Sequence, residues 1–133
     1  MLSDNVEIVA SLRYGNDHGL MIIEDPESTF AHADWDAAES PVSAGPDSLY
    51  LSVQPYVDGP VEIAIARKGY DNPQAPHVYF SGELNVRGRY LIVRDADDVM
   101  RYAIRCRSGL NKVRVMADEP GLASLLVIIV END

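Results

Sequence analysis

The residues best equipped for chemistry lie between Asp25 and Asp47. Glu27, Asp34, Asp36 and Glu39 supply carboxylates, Trp35 stands between the two aspartates, and the segment contains no Lys or Arg. Carboxylates at this density steer a cationic protein toward a surface, and one large aromatic supplies desolvated contact area on arrival. Glu27, Asp34, Trp35, Asp36 and Glu39 are therefore the candidate partner-binding set. Trp35 has two readings. It is a peg that pins the loop to the body of the protein, or an exposed anchor ringed by carboxylates.

Other constellations point less far. Asp95, Asp97 and Asp98 form an oxygen-rich turn of the kind calcium uses, but without a twelve-residue loop and closing Glu. His18, His32 and His77 are widely spaced and have no Cys/His ligand pattern, so no metal or cofactor is expected. Cys106 reads as a buried, inert thiol. No Ser-His-Asp set is local in sequence, which leaves a hydrolase only if its residues converge in space. Gly82 and Gly88 belong to no phosphate-cradling motif. Arg101, Arg105 and Arg107 share one face of a strand by period-two spacing. They are expected to pair with carboxylates on neighbouring strands or across a homodimer.

Strands must position these groups. Val6–Tyr14, His18–Glu24, Ser48–Gln54, Val61–Ala66, His77–Val86, Tyr90–Val93, Val99–Arg107, Lys112–Ala117 and Ala123–Val130 alternate or run apolar over strand lengths. Turn residues separate them at roughly ten-residue spacing. The predicted fold is all-β: an antiparallel β-sandwich of eight or nine short strands in one domain, residues 1–133, with one long acidic loop, residues 25–47. Ser48–Arg67 reads as a β-hairpin turning at Asp58-Gly59, and one helical turn is expected around Ala33–Glu39, capped by Asp34 or Ser28. The predicted core is Val6, Ile8, Leu20, Ile22, Leu51, Val53, Ile63, Ile65, Phe80, Ile92, Ile104, Val113, Val115, Leu126 and Ile128. His18–Glu24 is apolar on both faces, so it should lie centrally or under a covering loop.

Composition sets the outer limits. Residues 1–60 carry 11 acidic side chains and one basic, whereas residues 61–133 carry 10 of each, so the whole net charge of -10 comes from the first half. Such a chain repels phosphate, and no nucleic acid partner is expected. The longest apolar run, Leu125–Val130, is far short of the about 20 residues of a membrane-spanning helix, so no membrane partner is expected. Met1-Leu2-Ser3-Asp4-Asn5 lacks the basic and apolar regions of a signal peptide, and a single cysteine fits a reducing compartment. The expected location is cytoplasmic.

Several short motifs carry a resemblance. Tyr14-Gly15, Ile22-Ile23-Glu24-Asp25, Asp34-Trp35, the strand Tyr50 to Val53 followed by Gly59-Pro60-Val61, Gly82-Glu83-Leu84, and Val113-Arg114-Val115-Met116-Ala117 occur in that order. Together they resemble a family of small bacterial β-sandwich proteins that includes competence protein J, an inhibitor of a competence nuclease. The resemblance runs from about residue 6 to 130. It implies a non-catalytic protein that restrains a nuclease, and no site residues are carried over from it. The family usually ends in an aromatic-rich strand, where this chain has Leu125-Leu126-Val127-Ile128-Ile129-Val130. The expected function is thus a non-enzymatic acidic inhibitor of a basic macromolecule such as a nuclease or toxin. A carbohydrate- or calcium-binding module using Trp35, Tyr50 and Tyr56, and a small hydrolase, are the alternatives.

Overall fold

The computed structural model describes residues 8–67 and 70–131. Ten strands form, with no α-helix among the described residues: β1 Ile8–Tyr14, β2 Leu20–Glu24, β3 Val42–Ala44, β4 Ser48–Ser52, β5 Val61–Ala66, β6 His77–Val86, β7 Tyr90–Asp95, β8 Arg101–Arg105, β9 Gly109–Ala117 and β10 Leu125–Glu131. They make two five-stranded sheets, one ordered β1-β5-β10-β9-β6 and the other β3-β4-β2-β7-β8. No helix among the described residues is long and apolar enough to cross a membrane.

Nine of the ten strands coincide with the expected runs. The tenth, β3, lies inside the segment read as one acidic loop and pairs with β4. At three residues it is too short for a period of two to announce it. The single turn expected around Ala33–Glu39 is displaced to 36–40, where the N–H groups of Glu39 and Ser40 donate to the Asp36 carbonyl at 3.0 and 3.1 Å. Its cap is Asp36 rather than Asp34 or Ser28, since the Ala38 N–H donates to the Asp36 side chain at 2.9 Å.

The Ser48–Arg67 hairpin does not form. β4 and β5 belong to different sheets, and the chain crosses between them through a short 3-10 turn at Tyr56–Asp58. Gly59 leaves that turn at φ 128°, a conformation that other residues rarely adopt. The sheets are also not wholly antiparallel, since β10 runs parallel to β5.

One buried cluster draws on both sheets. Met21, Ile23, Leu49, Leu51 and Val53 come from the second sheet and its exit, and Ile63, Ile65, Val113, Val115, Leu126 and Ile128 from the first. Ile104 joins them as expected, and Phe80 packs against them from partial exposure. β10 is apolar from Leu125 to Val130, and both its faces are covered. Val127 and Ile129 pack on the outer side with Ala64 and Ala75, beside Tyr70 of the 67–76 connection.

Two core expectations, Leu20 and Ile8, need correction; Ile22 and Ile92 are buried as expected though outside the main cluster, and Val6 lies outside the described residues. β2 is central between β4 and β7, as its two apolar faces suggested, but Met21 and Ile23 turn inward. Leu20 is partly buried and Ile22 buried outside the main cluster, paired across β4 with Tyr50. Ile92 is likewise buried but outside the main cluster, where Leu91 and Val93 supply the inward contacts. Ile8 is exposed, because β1 carries a bulge between Ile8 and Ala10 that breaks its alternation.

Candidate functional site

The segment that follows β2 is anchored at both ends before it can present anything. Asp25 and Asp47 are buried, and the Asp25 N–H donates to the Asp47 carbonyl at 3.0 Å. Arg87, on the turn between β6 and β7, reaches both carboxylates: Nη1 lies 2.5 Å from Asp25 and 2.7 Å from Asp47. The Ser28 hydroxyl also donates to Asp47, at 2.7 Å. Burial alone would raise the Asp47 pKa. The hydrogen bonds from Ser28 and Arg87, with the guanidinium charge, hold it below the usual carboxylate range instead. Gly45 allows close approach nearby, since a Cβ there would sit 2.5 Å from the Phe30 ring.

Between these anchors the loop lies on Tyr50 of β4. The His32 ring stacks on Tyr50 with centroids 3.8 Å apart, Phe30 meets His32 edge-on at 4.8 Å, and Trp35 meets Tyr50 edge-on at 5.8 Å. Trp35 Nε1–H donates to the Ser40 carbonyl at 2.9 Å. Trp35 is half-buried, neither wholly packed nor exposed. One edge pegs the loop, and the rest lines a groove.

That groove, about 350 Å³, is lined by Phe30–Asp36, Glu39, Ser40 and Ser43. Four of the five candidate residues, Asp34, Trp35, Asp36 and Glu39, are therefore brought together, the three carboxylates exposed at its edge. Glu27 is not among them; it is exposed on the turn just after β2. No Lys or Arg lines the groove.

His32 is the residue that sequence reasoning passed over. Its Nδ1 lies 2.8 Å from the Ser43 hydroxyl and its Nε2 2.9 Å from that of Ser48. Ser48 donates to Glu24 at 3.3 Å, so it accepts from Nε2–H, which leaves Nδ1 to accept from Ser43. Glu24 in turn takes the Arg94 fork at 2.9 and 3.1 Å. Burial lowers the His32 pKa against the opposing pull of Glu24 and Asp47. This neutral ring, held at both nitrogens, is a strut. It departs from a Ser-His-Asp triad because Ser48 stands where a carboxylate would have to touch the imidazole. Only the pairing of His32 with two serines of β3 and β4 reveals it, and β3 itself had no sequence signal.

The alternatives fare differently. Trp35 and Tyr50 meet, but Tyr56 lies against Gly15 beyond the other end of β2, so the three aromatics form no common platform. At the turn proposed for calcium, Asp95 is buried and accepts the Val99 N–H at 2.7 Å, Asp97 pairs with His18 at 2.9 Å, and Asp98 with Arg101 at 3.0 Å. Each carboxylate serves a protein donor, and no metal-holding group of three occurs among the described residues. The arginine face exists in part. Arg101 and Arg105 lie on one side of β8, Arg107 follows the strand, and Arg101 finds its counter-charge within the chain. Cys106 is buried, which raises its pKa, as expected of an inert thiol.

No family model matches the chain, and no curated protein matches it. Two solved structures share its fold. One is the crystal structure of ComJ, inhibitor of the DNA degrading activity of NucA, from Bacillus subtilis, with TM-score 0.72 and 10% identity over 96% of this chain and 98% of that one. The other is Crocagin biosynthetic gene J, with TM-score 0.59 and 9% identity over 99% of both chains.

Proposed function

We propose that the protein is a non-catalytic inhibitor of a basic nuclease, or of a toxin of similar charge, and that the groove beside Trp35 receives basic side chains of that partner. The observation that carries this reading is the gathering of Asp34, Asp36 and Glu39 around a half-buried tryptophan, with no cation in the lining. A guanidinium or ammonium fits such a place twice over: carboxylates hold its charge, and an aromatic face attracts it. A nuclease cleft must be positive to hold phosphates, so carboxylates compete for the same surface. The likeness in fold to ComJ supports the choice of a nuclease over other basic proteins. On this reading the protein is a single cytoplasmic domain whose two sheets face one another as a sandwich, an arrangement their shared core supports.

The test is to capture basic proteins from the source organism on the immobilised chain and to measure DNA degradation by what is captured, with and without added protein. Wild type should suppress degradation, and Asp34→Asn with Asp36→Asn should suppress it less while melting at the same temperature. A captured nuclease that wild type leaves fully active sinks the inhibitor reading. Equal inhibition by the folded double variant removes the groove as its site.

A further inference from the structure

The opposite end of the second sheet gathers features that the groove does not use. Four connections converge there: 15–19 before β2, 53–60 between β4 and β5, 96–100 between β7 and β8, and 118–124 between β9 and β10. Tyr56 N–H donates to the Asn16 carbonyl at 2.6 Å, and the Tyr56 ring lies against Gly15. Val53 N–H donates to Gly19 at 3.0 Å, and Gln54 N–H to Ala123 at 2.9 Å. The His18–Asp97 pair joins the first connection to the third.

The tips of these connections expose large apolar side chains: Val57 at 87%, Val99 at 80%, Tyr56 at 64% and Leu122 at 55%. Scattered singly, such residues need no explanation, but grouped at one end they mark an interaction surface. Asp17, Asp58, Asp97, Asp98 and Glu119 are exposed among them. The cations on these connections and the adjoining start of β8 are already engaged, His18 by Asp97 and Arg101 by Asp98.

We infer that this end is a second docking surface, and that its occupant is a basic protein carrying an apolar recess. Charge selects that occupant. A second copy would set one net-negative patch against another, since the five carboxylates outnumber His18 and Arg101, and nucleic acid or an anionic membrane carries the same sign as the patch. A cationic protein is attracted by the carboxylates, while the valines, Tyr56 and Leu122 lose water only on contact and so govern how long it stays. The surface stands independently of the groove, whose loop leaves β2 at its other end, after Glu24.

An amide NMR titration with a synthetic amphipathic lysine–leucine peptide tests this, beside a lysine–serine peptide of equal charge. The lysine–leucine peptide should shift the resonances of Asp17, Tyr56, Val57, Asp58, Val99 and Leu122, bind more weakly in high salt, and outbind the polar peptide. Val57→Ser with Leu122→Ser removes only exposed apolar surface, so the variant should fold, and its affinity should fall about tenfold, equivalent to about 1.4 kcal/mol. Equal binding of the two peptides, or unchanged affinity in the folded variant, overturns the proposal. Shifts confined to Phe30–Ser43 overturn it as well, while leaving the groove reading intact.

Discussion

The Nη1 atom of Arg87 lies 2.7 Å from Oδ2 of Asp47, and through this contact the turn after β6 holds the segment that forms the groove. Asp25 shares the same nitrogen, and both carboxylates are almost wholly removed from solvent. Buried charge without a partner is strongly destabilising, so Arg87→Met should lower the melting temperature at neutral pH. Asp47 has a folded pKa below its ordinary value, so its contribution is complete above about pH 4 and is lost as pH falls through and below that point. The gap between wild type and variant should therefore close on acidification. Parallel melting curves from pH 7 to pH 3 would show that the contact does not couple to stability.

His32 should titrate below the ordinary histidine value of about 6.5. With the folded pKa depressed, the neutral ring contributes stability above the unfolded value, and this is lost as pH falls toward the folded one. The ring-proton resonance of His32, followed by NMR, reads the midpoint directly. His32→Gln should remove the accompanying slope of stability against pH. A midpoint at or above the ordinary value would mean that the ring is solvated and the Ser43–His32–Ser48 strut is not formed.

Tyr14 should ionise late among the seven tyrosines of the chain, as should Tyr79, whose pKa burial also raises. Burial pushes the Tyr14 pKa up to about 12, with Asn16 opposing and Asp95 adding to the shift. A raised folded pKa means stability that is intact below about pH 10 and declines as pH rises toward 12. Ultraviolet titration should show one fewer phenol ionising in that upper range in Tyr14→Phe than in wild type. If both proteins titrate alike, the hydroxyl is not held between Asn16 and Met21.

In the groove, charge and contact should separate kinetically. Asp34→Asn with Asp36→Asn should slow association and flatten its dependence on salt. Trp35→Phe retains a ring but loses the bond to the Ser40 carbonyl, and should mainly speed dissociation. Trp35→Ala also removes the edge contact with Tyr50, so the loop itself should loosen and the melting temperature fall. Stopped-flow binding to the captured nuclease distinguishes these outcomes, and a double aspartate variant with an unchanged association rate contradicts the steering role.

Ile128 sits fully buried in β10, between β5 and β9, at the centre of the first sheet. Ile128→Ala should cost about 2–5 kcal/mol in urea unfolding, because neighbours on both sheets relax only partly into the space. Val57→Ala, on an exposed turn, is the matched control and should change stability little.

Sequence alone determined the alternating strands and the acidity of the segment after β2. Ile63 and Ile65, Val113 and Val115, and Leu126 and Ile128 are each two residues apart, and the pleat turns that spacing into a shared face without reference to any other strand. The candidate carboxylates were legible for the same reason: Asp34, Asp36 and Glu39 are neighbours in sequence before they are neighbours in space. Tertiary structure decided what a local pattern does not encode. β2 is apolar on both faces, so only its place between β4 and β7 selected Met21 and Ile23 for the core. Alternation in β4 and β5 says nothing about partners, and pairing sent them to different sheets, with β5 beside a parallel β10. The contacts that shape the groove join Arg87 to residues 62 and 40 positions away, and His32 to serines of β3 and β4. Such bonds form only after the strands have closed those distances, and no periodicity in the chain records them.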